Sequence, residues 1–228
     1  MSGIGLLDSR SAATETARGT RGALALAMLG AILFVIVDAL PYFTFLYSDG
    51  PNQFVTARRF ELYFPRRGWL LLHIVGGLLA LLAGPVQLWL GLSHRRMGLH
   101  RRIGLAYIGG VAIGAIGAVG LAVQTPLGWV FGVGLLGLAL AWVVTTSLAY
   151  ASIRLSLIEQ HKEWMIRSYV VTFAFVTFRV GDLGMLAAGI GDRLQTLAFL
   201  SWACWAIPLL TTEAFLQGRK MFRAIHRP

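Results

Sequence analysis

Six stretches of twenty or more mostly apolar residues dominate the chain, at about residues 22–47, 69–92, 103–123, 127–150, 164–190 and 194–217. A bilayer core roughly 30 Å thick asks for about twenty apolar residues per spanning helix. Backbone groups in hydrocarbon must find their hydrogen bonds within the segment, so each stretch predicts a helix. The fold class expected is all-α: a polytopic membrane bundle of six transmembrane helices. The turn between the third and fourth stretches is only Gln124, Thr125 and Pro126, which predicts an antiparallel hairpin. Pro41 predicts a kink in the first helix.

Outside the spans the chain is polar. Residues 1–20 are rich in Ser, Thr, Ala, Gly and Arg without an apolar period and read as a disordered cytoplasmic tail. Residues 21–218 form one transmembrane domain, and residues 219–228 read as a basic cytoplasmic tail. The first stretch is too long for a signal-peptide core and is read as a retained helix.

Charge then orients the bundle. With the N-terminus inside, the cytoplasmic segments carry Arg10, Arg18 and Arg21, then Arg95, Arg96, Arg101 and Arg102, then Arg154, Lys162 and Arg167, then Arg219, Lys220, Arg223 and Arg227. The outer segments carry Arg58, Arg59, Arg66, Arg67 and Arg193. Fourteen against five predicts both termini in the cytoplasm. The net charge of +10 is thus a topology signal, and nucleic acid is not an expected partner. Anionic lipids at the cytoplasmic face are. The single cysteine, Cys204, excludes an intrachain disulfide and reads as a packing residue. Gly110 and Gly114, and Gly128 and Gly132, have the four-residue spacing that lets helices approach closely.

Ionisable groups inside spans are costly, so each needs a partner, a hydrated cavity or a task. His73, Gly77, Ala80, Gly84 and Gln87 share one face of the second helix. Ser168, Thr172, Phe175, Arg179 and Asp182 share one face of the fifth, which His161 extends, and His100, Gly104 and Tyr107 share one on the third. Depth, counted at about 1.5 Å per residue, sorts the polar groups into two sets. Asp38, His73, Arg179 and Asp182 form an outer set able to share one outward-facing pocket. His94, His100, His161, Glu159, Glu163 and Arg167 lie near the inner surface, with Gln87 and Glu213 deeper. In the bland reading of the outer set, Arg179 pairs with Asp182 three residues on, and His73 is a neutral imidazole hydrogen-bonded between helices. In the functional reading the same four groups are a proton relay, a quinone site or a substrate pocket. His100 and His161 match in depth and are candidate ligands of a b-type haem, with Gln87, Tyr107 and Arg167 orienting propionates or a quinone head. No cluster has the spacing of a zinc or di-iron site, so no metal ligands are assigned.

The runs LHIVGGLLALLAGPVQ (residues 72–87), LHRRIGLAY (99–107) and HKEWMIRSYVVTFAFVTFR (161–179) resemble the uncharacterised bacterial multi-pass membrane family known as domain of unknown function 2306. The resemblance covers about residues 69–217. Its motif positions fall on His73, Gly84, Pro85, Gln87, His100, Arg101, Gly104, Tyr107, His161, Trp164, Met165, Arg167 and Arg179. It implies a bundle of membrane helices, in a bacterial inner membrane, and no assigned reaction. Whether the protein is an enzyme, and which residues would be catalytic, is therefore not set. Three functions stay open: a redox protein handling b-type haem or quinone, a small transporter or proton-coupled carrier, and a non-enzymatic subunit joined to a membrane partner or to further copies of itself. A hydrolase is not expected, because no nucleophile elbow or metalloprotease motif is present.

Overall fold

The computed structural model describes residues 22, 23, 25–30, 32–46, 50, 51, 55–94 and 96–225. The segment expected to be a cytoplasmic tail, with Arg10, Arg18 and Arg21, lies outside them, as do Arg95, His226 and Arg227. Among the described residues six helical segments are long and apolar enough to cross a membrane. They are α1 (Ala25–Leu46), a second span running Ala57–Ser93, α4 (Met97–Val123), α5 (Trp129–Arg154), a fifth span running Ile158–Ala187, and α8 (Arg193–Ile225). The second span contains α2 (Ala57–Tyr63), a short 3-10 turn and α3 (Arg67–Ser93). The fifth is α6 (Ile158–Thr172) and α7 (Ala174–Ala187), interrupted at Phe173.

Large apolar side chains cover the outside of the bundle: Leu33, Leu105, Leu140, Val180 and Leu210 are all exposed. In water such a surface would be untenable; against acyl chains it is the matching solvent. Helix ends outrun the apolar stretches, because arginine-rich rims continue a helix as readily as apolar residues do. α8 has 33 residues and is thus about 50 Å long, which exceeds the bilayer core. The basic residues from Arg219 to Arg223 accordingly belong to α8.

The tightest packing is α3 on α4, with α5 joining α4 to α6 and α8. Glycine allows it. A Cβ on Gly76 would strike the backbone of Gly110 and Gly114, and one on Gly117 the backbone of Trp69 and His73. Gly110, Gly114 and Gly132 thus serve close approach as expected. Gly128 differs: it stands in the turn before α5 with φ +91° and no neighbour at its Cβ position. It is there for a backbone conformation that L side chains rarely adopt.

Two spans are irregular. α1 passes from α-helix into a π-helical segment at Val35–Ala39 and a 3-10 segment at Leu40–Leu46, around Pro41. Its Ala39, Tyr42 and Phe45 pack with Val55, Leu70 and Ile74 in a small core. The larger core joins Ala80, Tyr107, Val111, Ala115, Trp142, Ala149, Met165 and Val171.

Candidate functional site

One end of the bundle carries Arg66 and the loops before α5 and α8; the other carries His100 and the loop between α5 and α6. A cavity of about 840 Å³ opens from the Arg66 end and reaches the middle of the bundle. Asp38, His73, Arg179 and Asp182 all line it, so the four groups expected to share a pocket do share one. Its walls are largely apolar and aromatic, among them Phe34, Phe131, Phe175, Phe178 and Trp142. The two irregular helices form part of the lining: Asp38 sits in the π-helical segment and Phe175 just beyond the Phe173 break. Gly77, with nothing within 4 Å of its Cβ position, leaves part of this space open.

The ionic partners differ from the bland expectation. Arg179 does not pair with Asp182. Its Nε lies 2.9 Å from Asp38 Oδ2, while Asp182 is held by both terminal nitrogens of Arg193. The reason is direction: residues three apart on one helix are neighbours, but α1 and the start of α8 bring oppositely charged groups from other elements to the same face. Arg59 adds a longer contact to Asp38 at 3.9 Å. Arg193, taken from the sequence as a topology signal, is thus part of the site.

His73 behaves as the bland reading expects. Its Nδ1 is 3.0 Å from the Gly114 carbonyl, so the ring donates there and keeps Nε2 as an acceptor in the neutral form. The ring meets Phe175 edge-on at 5.4 Å, and the Arg179 guanidinium stands 5.7 Å from the centre of the same phenyl ring. Tyr42, which periodicity did not mark, adds a further donor. It is 3% exposed, and its hydroxyl lies beside Arg179 without a well-aligned hydrogen bond. Arg179 Nε is buried in the same condition: close to Asp38, but out of line for a hydrogen bond.

At the His100 end the expected residues are present but already engaged. His100 Nδ1 faces the Gln87 carbonyl oxygen at 3.2 Å, and its Nε2 faces the Gln87 side-chain nitrogen at 3.3 Å. His161 Nδ1 donates to the Ala149 carbonyl at 2.8 Å. Arg167, 6% exposed, grips Glu213 through Nε at 2.7 Å and Nη2 at 2.6 Å, and stacks on Trp164. Tyr107 is buried with Ser168 and Thr172. These residues do not fit a b-type haem. Both ring nitrogens of His100 are taken by one residue, its ring packs against Gly91, and neither His100 nor His161 lines the cavity. Among the described residues no group of three or more His, Cys, Asp or Glu side chains is placed to hold a metal ion. His94 is exposed on the rim, and Cys204 is buried in the cavity wall.

The family model described as "Predicted membrane protein (DUF2306)" matches residues 70–216. The chain belongs to that family. The matched region takes in α3 through most of α8, and with them His73, Arg179, Asp182 and the His100 end. It leaves out α1, and hence Asp38 and Tyr42. The family description speaks of a membrane protein and assigns no reaction. No significant match was found among curated proteins or among solved structures.

Proposed function

We propose that this DUF2306 protein binds a lipid-soluble amphiphile of the quinone class in the cavity, with the polar head at Tyr42, Arg179 and His73. One observation carries the reading: a largely apolar cavity of about 840 Å³ contains two buried polar atoms, Tyr42 Oη and Arg179 Nε, that protein hydrogen bonds leave unmatched. Small-molecule sites are of this size and kind, apolar walls around a few polar groups. Carbonyl oxygens suit the donors on Tyr42 and Arg179, and the free Nε2 of neutral His73 suits a hydroxyl. The deepest cations, Arg179 and Arg193, are each balanced by an aspartate. The interior thus offers directed donors without a large uncompensated charge, which favours an uncharged head over a phosphate. Phe34 and Phe175, packed edge-to-face on each other, give the cavity an aromatic wall beside Arg179 and His73.

The test is quenching of tryptophan fluorescence in nanodiscs by a short-chain benzoquinone and a naphthoquinone, Trp142 being in the cavity wall. Saturable quenching is expected. Tyr42→Phe should weaken it about threefold to tenfold, the loss of one hydrogen bond worth about 1 kcal/mol. Unsaturable quenching, or identical curves for Tyr42→Phe and wild type, would refute the reading.

A second reading, substrate passage, is favoured by the breaks at residues 35–46 and at Phe173, since discontinuous helices beside a mid-membrane site are a feature of carriers. The subunit reading rests on the glycine faces, and those of Gly76, Gly110, Gly114 and Gly117 are already spent on contacts within the bundle. We further propose that the Arg66 end faces outward in a bacterial inner membrane. The basic turn Arg219–Arg223 of α8, with Met221 exposed beside it, would then meet anionic headgroups inside. Because Cys204 is buried, a cysteine placed at Arg67 should react with an impermeant maleimide on intact cells, and one at Arg219 only after lysis. The reverse pattern would invert the topology.

A further inference from the structure

Two residues at the inner end of the cavity, Trp142 of α5 and Thr172 of α6, are bonded to each other: the indole Nε1–H donates to Thr172 Oγ1 at 2.8 Å. One helical turn further in, on the same two helices, stand Thr146 and Ser168, whose hydroxyl oxygens are 2.7 Å apart. Tyr107 of α4 joins the two layers, its Oη 2.7 Å from Thr172 Oγ1 and 2.8 Å from Ser168 Oγ. The inner layer is sealed. Tyr107 and Ser168 are both 0% exposed, and none of Tyr107, Thr146 and Ser168 lines the cavity.

Every donor in this cluster has an acceptor. Thr172 donates to the Ser168 carbonyl at 2.9 Å and accepts from both Trp142 and Tyr107. Ser168 can then donate to Tyr107, and Thr146 to Ser168. Hydroxyls that only hold helices together can bond one another or a carbonyl. Here they end on an indole, a group that can only donate and whose acceptor is Thr172. The cluster therefore fixes a side chain of the cavity wall as well as three helices.

The far edge of that side chain is fixed too. A Cβ on Gly114 would stand 3.0 Å from Trp142 Cη2 and Cζ3, and 3.1 Å from the Gly77 nitrogen. The indole thus reaches from α6, where its N–H is held, across to α4 at the level of Gly77. Gly114 is buried beneath it, and on α4 the cavity lining stops at Ala118, one turn nearer the mouth. The Gly114 carbonyl is the one that accepts from His73 Nδ1.

We infer that Trp142 sets the depth of the cavity, and that Thr172 is the residue that positions it. The indole separates the space beside His73 from the hydroxyls of Tyr107, Thr146 and Ser168. Gly77 lies one turn, about 6 Å, inward of His73, so a ligand held at His73 has about that much room before it meets the indole. With the indole N–H engaged by Thr172, this inner wall offers ring carbon and no donor. It selects ligands by size.

The test first asks what the indole covers, with no ligand present. In a Cys204→Ser background, which removes the chain's single cysteine, Ser168→Cys is treated with N-ethylmaleimide in nanodiscs. It should stay unlabelled, while Gly77→Cys, which faces open space in the cavity, should label. Adding Trp142→Ala should make Ser168→Cys label at a rate close to that of Gly77→Cys. Adding Thr172→Val, which removes the acceptor and little volume, should also remove protection, and Thr172→Ser should keep it. Unchanged elution and thermal unfolding would show that labelling does not report a disrupted bundle. Should Trp142→Ala fail to fold, the contrast between Thr172→Val and Thr172→Ser decides. A second arm rests on the quinone reading and uses calorimetry, because Trp142 is itself the fluorescent reporter. Trp142→Ala should shift the ratio of naphthoquinone to benzoquinone affinity about tenfold toward the larger ring, the size of an overpacking penalty relieved. Ser168→Cys that labels in the parent, protection that survives both Trp142→Ala and Thr172→Val, or an unshifted ratio overturns the inference. If wild type binds neither quinone, the quinone reading falls, and the labelling still decides what Trp142 covers.

Discussion

Arg179→Met is expected to destabilise the protein by about 2–4 kcal/mol, somewhat below the roughly 3–5 kcal/mol for removing one partner of a fully buried ion pair. The Asp38 side chain is only 15% exposed, and it would lose the cation 2.9 Å away. What remains is Arg59 at 3.9 Å, itself 43% exposed and partly screened by solvent. The cavity's opening and this residual contact keep the expected loss below the full penalty for an isolated buried charge. The double variant Asp38→Asn, Arg179→Met removes both charges and should recover most of the stability, because the penalty lies in the unpaired carboxylate. Thermal unfolding of the single and double variants in one detergent checks this. If the double variant is as unstable as Arg179→Met alone, the pair is not what holds α1 to α7. The coupling also bears on function, since α1 meets the bundle here and in the small core around Tyr42 and Phe45. A ligand that draws Arg179 away from Asp38 would loosen the same contact.

Partner choice is where sequence and structure diverge most. The spans were legible because a bilayer imposes a length and an apolar content that few other settings demand. The polar faces were legible too, since helical periodicity places His73 with Gln87, and Arg179 with Asp182, whatever they touch. Periodicity ranks positions around one helix and says nothing of which helix lies opposite. Arg179 and Asp182 are therefore neighbours on α7, and yet each takes its counter-ion from another element, Asp38 on α1 and Arg193 at the start of α8. His100 and His161 match in depth as a haem pair should, but depth leaves out what each ring already touches. Gln87 engages both nitrogens of His100. Tyr42 escaped notice because the irregular backbone around Pro41 breaks the helical count on which a stripe depends. Arg167 with Glu213 was half legible: both were placed near one end, and only the fold shows the guanidinium closing on that carboxylate.

Gly76 and Gly77 are adjacent in sequence and should respond in opposite ways to the same substitution. A methyl group on Gly76 would meet the Gly110 carbonyl oxygen at 2.5 Å and the Gly114 Cα at 2.6 Å. These are backbone atoms of another helix and cannot rotate aside, so α3 and α4 would have to separate along the most extensive contact in the bundle. Overpacking commonly costs about 1–3 kcal/mol and occasionally more. Gly76→Ala should lie at or above the top of that range, and Gly76→Leu should yield no monodisperse protein. Gly77 faces the cavity with nothing within 4 Å of its Cβ position. Gly77→Ala should therefore leave the fold intact or gain up to about 1 kcal/mol from helix propensity, while Gly77→Leu should fold and fill the space proposed for the ligand. Size-exclusion profiles and unfolding temperatures of the four variants read the packing half of this contrast, and quinone quenching of Gly77→Leu reads the binding half. A well-folded Gly76→Leu would mean that α3 and α4 do not meet backbone to backbone. A well-folded Gly77→Leu that binds quinone as wild type does would place the ligand elsewhere than against His73 and Phe175.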